Sequence, residues 1–190
     1  MKLVLLLSVL MVLSACASLD NGVVVRNVQH QPFYSPDIVH WAGAGRDIRL
    51  VMTVPGKTGD AQPLSEATTS AVASMPWLPF GRVTDAPDGS ERDNFHLAIV
   101  LDAPETMAGK DACAGTVEPS NLAPVSGQSH ILFAFCNDAR IISTAHSVVP
   151  AVSSPSDPNF ARAVTAAVTE AIPLRDPNRV GNGREPFLAP

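Results

Sequence analysis

No run of lysine or arginine occurs in this chain, and its 13 basic residues are outnumbered by 18 acidic ones, for a formal net charge of −5. Such a surface offers no electrostatic footprint to nucleic acid and no basic patch to anionic headgroups. Metal-binding signatures are missing too. There is no C-x-x-C, no H-E-x-x-H and no closely spaced pair among His30, His40, His96, His130 and His146, so neither a metal nor another cofactor is expected. The acidic stretch "DAPDGSERDN" lacks the ligand spacing of a calcium loop and reads as a solvated turn. A Gly-rich phosphate loop is absent. The closest text to a serine-hydrolase elbow, "SGQSH" from Ser126 to His130, lacks the second glycine and precedes a strand instead of a helix. No segment repeats at a period of about 20–50 residues, which removes solenoids and repeat arrays. No apolar run reaches the roughly 20 residues that cross a bilayer as a helix.

What the chain does have is concentrated at its start. Met1-Lys2 supplies one positive charge, and Leu3 to Leu13 is apolar except for Ser8. This run fits a signal-peptide core of about 7–15 residues. It ends in Leu13-Ser14-Ala15-Cys16: a branched apolar residue, two small residues and a cysteine. The segment resembles the signal peptide and lipobox of bacterial lipoproteins. The resemblance covers residues 1–16 and implies that Cys16 takes a diacylglyceryl group, that cleavage precedes it, and that the new amine is acylated, commonly with palmitate. One acyl chain binds a bilayer only marginally, at about 10⁴ M⁻¹, whereas each further buried CH₂ adds about 0.8 kcal/mol. A triacylated Cys16 would thus hold the chain in a membrane. Ala17 and Ser18 follow the cysteine. With no aspartate there, the resemblance implies sorting to the outer membrane, facing the periplasm.

Cys113 and Cys136 are the other two cysteines. In an oxidising periplasm a disulfide between them is the expected state, with two separate buried thiols as the alternative. The composition otherwise describes one modest, loop-rich domain: 46% apolar residues, only 5% aromatic, 17 prolines and 12 glycines.

Along the chain, residues 1–15 read as the lipoprotein signal peptide, 16–45 as lipid anchor and tether, 46–175 as a single domain and 176–190 as a flexible C-terminal tail. Val23 to Val25 could cross the domain as an edge strand, but Pro32, Pro36, Gly43 and Gly45 interrupt the residues after it. "DIRLVMTV", Asp47 to Val54, alternates as a strand with Ile48, Leu50, Met52 and Val54 on one side. Leu64, Thr68, Ala71, Val72 and Met75 recur at helical spacing before Pro76. The stretch from Phe80 to Pro104 reads as a hairpin turning at Asp88-Gly89, with Phe95, Leu97, Ile99 and Leu101 forming one apolar face. Pro104 to Gln128 has no periodicity. Two apolar runs, about 130–136 and 140–149, flank the turn pair Asn137-Asp138. Asp157-Pro158 then starts a helix carrying Phe160, Val164, Ala167, Val168, Ala171 and Ile172 on one stripe. This order predicts an α+β fold: a two-layer sandwich with a mainly antiparallel sheet of about four to five strands and two helices on one face.

For function, the sequence favours a non-enzymatic binding or structural module for an envelope partner, either a protein or a cell-wall component, with no catalytic or metal residues assigned. The alternative is a periplasmic hydrolase with a site around His96 and Asp102, to which His130 or His146 could add an acid/base group. A pocket gathering nucleophile, histidine and carboxylate would favour the enzyme. An open sheet edge would favour binding by strand addition. Trp77 to Phe80 is expected to seal the core edge.

Overall fold

In a computed structural model the described residues are 22–56 and 61–179. The expected signal peptide and Cys16 lie outside them. The fold is α+β, built on a six-stranded mixed sheet in the order β1-β6-β5-β4-β2-β3. The strands are β1 (Val24–His30), β2 (Asp47–Thr53), β3 (Arg82–Thr84), β4 (Phe95–Leu101), β5 (Gln128–Asn137) and β6 (Arg140–Pro150). The helices are α1 (Pro36–Gly43), α2 (Ala61–Ala73), α3 (Gly109–Cys113) and α4 (Pro158–Ala171).

The strongest sequence patterns locate the centre of the sheet. Strands β5 and β6 pair antiparallel across the Asn137-Asp138 turn, where Asp138 takes the left-handed backbone (φ 49°). Alternation divides β4 and β5 between two faces. Leu97, Ile99, Leu101, Ile131, Phe133 and Phe135 point to the main core, while Ala98, Val100, Leu132, Ala134 and Cys136 point to a second, smaller one. Helix α4 covers the main face. Asp157 caps it by accepting a hydrogen bond from the Asn159 amide at 2.9 Å, Pro158 occupies the first helical position, and the stripe from Phe160 to Ile172 is buried. Helix α2 lies on the same side with Leu64, Thr68 and Val72 buried, and Met75 just after it is buried too. Trp77, Leu78 and Phe80 pack against this core as expected.

The sheet is larger than the four to five strands expected, because β1 and the short parallel β3 add its two edges, and four further features differ from the sequence reading. The segment 80–104 is not a hairpin, because β2 inserts between β3 and β4 and pairs parallel with both. The loop between them is tied down by Asp47, which accepts from Arg82 Nη2 at 2.6 Å and from the Asp88 amide at 3.3 Å. Second, residues 24–43, expected in the tether apart from a short edge strand at Val23 to Val25, supply a longer edge strand β1, paired antiparallel to β6, and helix α1. Pro36, read as a breaker, sits in the first turn of α1, where its missing N–H costs nothing. Third, the start of the expected tail is docked: Asn178 Nδ2 donates to the Gln31 and Tyr34 carbonyls at 3.0 and 3.3 Å. Residues 180–190 lie outside the described set.

The fourth difference is that the second face is covered as well. Segment 103–122 brings Ala103, Ala112, Cys113 and Leu122 onto it. Helix α3 rests directly on β6 because residue 109 is glycine: a Cβ there would sit 2.5 Å from Ile141 Cδ1 and 3.0 Å from Thr144 Oγ1. Cys113, at the end of α3, is disulfide-bonded to Cys136 on β5, with Cα atoms 5.5 Å apart. Both sheet edges are short or broken. Strand β3 has three residues, and the register of β1 on β6 shifts between Arg26 and Gln29, where Asn27 adopts φ 51°.

Candidate functional site

The polar side chains singled out in the sequence converge only in part. Strand β4 ends at Leu101, and Asp102 turns the chain with φ 55°. The Ala103 amide donates to the His130 carbonyl at 3.1 Å, which holds this corner beside the start of β5. His130 and His146 lie diagonally on adjacent strands, since His130 faces Val148 and Leu132 faces His146. Glu105 reaches over them, with Oε1 3.9 Å from His130 Nδ1 and 3.3 Å from Arg26 Nη1. Asp102, His130 and His146 are 6%, 4% and 5% exposed. Asp102 Oδ1, His130 Nδ1 and His146 Nδ1 have no hydrogen-bond partner among the described residues.

His96 does not join them. It sits at the opposite end of β4, opposite Cys136 and Arg49, so the expected His96–Asp102 site is divided by the length of the strand. The Ser129 hydroxyl accepts from the Val152 amide at 3.0 Å and lies close enough to Asp102 to oppose the rise of its pKa. It does not bond to either imidazole. The contact between nucleophile and base that activates a hydroxyl is therefore not formed here. No three His, Cys, Asp or Glu side chains among the described residues are grouped to hold a metal. A groove of about 270 Å³ opens at this end of the sheet beside Val54, Leu64, Leu101 and Val152, and none of its lining comes from the polar set.

Burial shifts the protonation of His96, Asp102 and His146. It holds the His146 imidazole below its ordinary 6.5, with His130 acting in the same direction. It likewise lowers His96, assisted by Arg49, and it raises Asp102 above 3.8 against the opposing effect of Ser129. For the histidines, the unfolded chain binds more protons than the folded one between the depressed value and 6.5. Their stabilising contribution is therefore complete above about pH 6.5 and is lost as pH falls through the folded value. Asp102 acts with the opposite sign, because the folded state takes up its proton first, so stability is regained as pH falls through its raised value. We expect the urea midpoint to fall between pH 7 and pH 5. It should fall less in a variant carrying His96→Gln and His146→Gln. A midpoint that is equal at the two pH values in the native chain would contradict the assignment.

A second site, which the sequence reading missed, lies at the other end of the sheet. The turn after β1 is closed by the Tyr34 amide on the Gln31 carbonyl at 2.8 Å. It buries Tyr34 and leaves Phe33 48% exposed. Helix α1 comes next, with Val39 and Ala42 inward and Trp41 55% exposed. The Trp41 ring meets Phe95 edge-on at 5.3 Å, and the Arg92 guanidinium lies 3.8 Å over its face while Nε donates to the Trp41 carbonyl at 2.7 Å. Arg140 stands 5.9 Å from the Phe33 ring. Between these walls is a groove of about 470 Å³ lined by Phe33, Ile38, Trp41, Phe95 and Ile142, with Asp37 and Asn137 as its polar members. Its size falls in the range of small-ligand and anchor-residue pockets, about 300–1,000 Å³. The only signal for it in the sequence was an aromatic at Phe33 and another eight residues on at Trp41.

No protein-family model and no curated protein matches the chain. Among solved structures it is similar to the PelC dodecamer from Paraburkholderia phytofirmans in space group P6. The identity is 12% and the TM-score 0.46, over 78% of this chain and 97% of that one. A point variant of that dodecamer in space group C2 gives 12%, 0.42, 78% and 95%. At this identity and TM-score the likeness assigns neither an activity nor a partner to this chain.

Proposed function

We propose that the chain is a lipoprotein of the cell envelope, held at the periplasmic side of the outer membrane by acylated Cys16, and that its domain binds an envelope protein non-enzymatically. Three observations support the reading. The first 16 residues carry the signal peptide and lipobox pattern. The Cys113–Cys136 bond suits an oxidising compartment. No helix among the described residues is long and apolar enough to cross a membrane, so anchoring would fall to the lipid.

The observation that carries the binding role is where the groove lies. Gly22, the first described residue, lies beside Pro150, and β1 then runs along the sheet before the chain reaches Phe33 and α1. Seven strand residues at about 3.3 Å each put roughly 23 Å between the tether and the groove. Cys16 is six residues before Gly22, a reach of at most ~22 Å. A lipid at Cys16 thus keeps one end of the sheet near the bilayer and leaves the aromatic groove at the far end, open to a partner. Binding by strand addition is less well served, because β1 is bulged and β3 is short.

Cys16→Ala should accumulate as an unprocessed precursor with no label from clickable palmitate, and equal labelling of variant and native chain would rule out the lipid anchor. A photo-crosslinking residue in place of Trp41 should give a discrete adduct in cells, and that adduct should disappear in the Cys16→Ala background. The same residue at Val28, on the β1 edge, should give none. Adducts from position 28 and not 41 would move the docking face to the sheet edge.

A further inference from the structure

We propose that the groove between α1 and the β5–β6 turn accepts a partner segment presenting one bulky apolar side chain flanked by carboxylates. The inference rests on reading the groove as the docking face and adds the chemistry of what docks there. The lining explains the apolar centre. Phe33, Ile38, Phe95 and Ile142 have no polar side-chain atoms, Trp41 adds only its indole N–H, and of the polar members Asp37 and Asn137 the Asn137 Oδ1 already accepts from Asn94 Nδ2 at 3.1 Å. A polar ligand such as a sugar would bury hydroxyls with few partners, and each unpaired group is costly. An aromatic or large aliphatic side chain meets no such cost.

The carboxylates follow from the rim. Each exposed aromatic wall carries a guanidinium, Arg92 on Trp41 and Arg140 beside Phe33. Arg26, Arg49, Arg82 and Arg179 form ion pairs with carboxylates; Arg92 and Arg140, like Arg46, Arg162 and Arg175, form none among the described residues, and these two alone are set against exposed aromatic rings. Glu91 at this end pairs with Arg49, and Asp37, Asp93 and Asp138 form no ion pair with either arginine among the described residues. The Arg92 Nε–H is spent on the Trp41 carbonyl, which orients the remaining N–H fork without neutralising it. An arginine held over an aromatic ring with its N–H fork free is prepared for bidentate carboxylate binding. Asp37, inside the lining, disfavours an acid at the centre of the bound segment and so places its carboxylates at the two ends.

The test uses the full acylated protein in detergent micelles and a short fluorescein-labelled peptide with a central tryptophan flanked by glutamates. A second peptide carries lysines in their place. Anisotropy should show the glutamate peptide binding at least about tenfold more tightly, since like charges brought together at an interface are strongly disfavoured. Arg140→Glu should erode that preference, and Arg92→Glu with Arg140→Glu should invert it. Trp41→Ala should weaken both peptides while the melting temperature stays put. The single Arg140→Glu variant keeps the test valid should the double variant fold poorly. Equal binding of the two peptides, or a preference unchanged by charge reversal, would overturn the proposal. Absence of binding alongside a crosslink from position 41 would overturn it too, while leaving the docking face in place. If deleting residues 180–190 raised peptide affinity, the occupant would be the chain's own C-terminal segment and the proposal would fall.

Discussion

Replacing Cys113 and Cys136 together by serine is expected to cost about 3.4 kcal/mol of stability. The bond closes a loop with a sequence separation of 23 residues, and restricting such a loop in the unfolded chain is worth roughly that much on the chain-entropy account. For a domain of this size the loss corresponds to a fall in melting temperature of roughly 7–14 °C. The damage should be local before it is global. Segment 103–122 contributes Ala103, Ala112, Cys113 and Leu122 to the small second core, with Met107 and Val117 half-buried against it, little apolar material to set against about 1–2 kcal/mol of backbone entropy per ordered residue. Amide exchange in the serine variant should therefore accelerate across 104–127 while β4 and β5 stay protected. A variant within about 1 kcal/mol of the native chain, or one with unchanged exchange in that segment, would show that packing alone holds the second face.

Phe160→Ala should destabilise by about 3–5 kcal/mol, the usual range for emptying a buried aromatic site. Phe160 opens the inward stripe of α4 and is fully buried in the main core with Phe133 and Phe135. It lies in the first turn, just after the Asp157 cap, so the neighbouring backbone is pinned and cannot readily collapse into the void. Phe33→Ala is the matched control. Its ring is half exposed, and truncation there should change stability by no more than about 0.5 kcal/mol while weakening whatever binds the groove. Chemical denaturation of the two variants separates them. Comparable losses would mean that Phe33 is a core residue and that the groove is part of the fold.

The contrast between those two phenylalanines shows how much of the fold is legible in the sequence. Phe160 belongs to a pattern complete within a single helix, with a cap, a proline and a 3.6-residue stripe, so the local residues alone place α4. The β5–β6 hairpin is equally local, and the pairing of Cys113 with Cys136 requires only that two thiols remain once Cys16 is set aside. The groove needs information that no window contains. Trp41 meets Phe95 and Arg92, and Phe33 meets Arg140, across distances in sequence that periodicity does not span. The same reasoning accounts for the 80–104 segment. Its turn residues are real, but parallel pairing with β2 is decided by neighbours far along the chain, and a hairpin pattern is silent about a third strand. Helix α1 escapes a sequence reading because Pro36 signals a break or a beginning equally well. Residue type alone grouped His96 with Asp102, whereas His130, at the start of β5, does lie at the Asp102 corner.

The position of β1 also dictates an order of events. It is the first strand synthesised, yet its strand partner is β6, with Val24 against Val148 and His30 against Ser143, more than a hundred residues later. Until the last strand emerges, β1 has nothing to pair with, and the non-local closure that completes the sheet is the slow kind. The β4–β5–β6 meander can assemble first from contacts close in sequence, leaving the N-terminal segment extended and unpaired meanwhile. A chain wired in this way is sealed late: the strand made early waits beside a finished meander, and the sheet closes only once residues 143–148 are there to receive it.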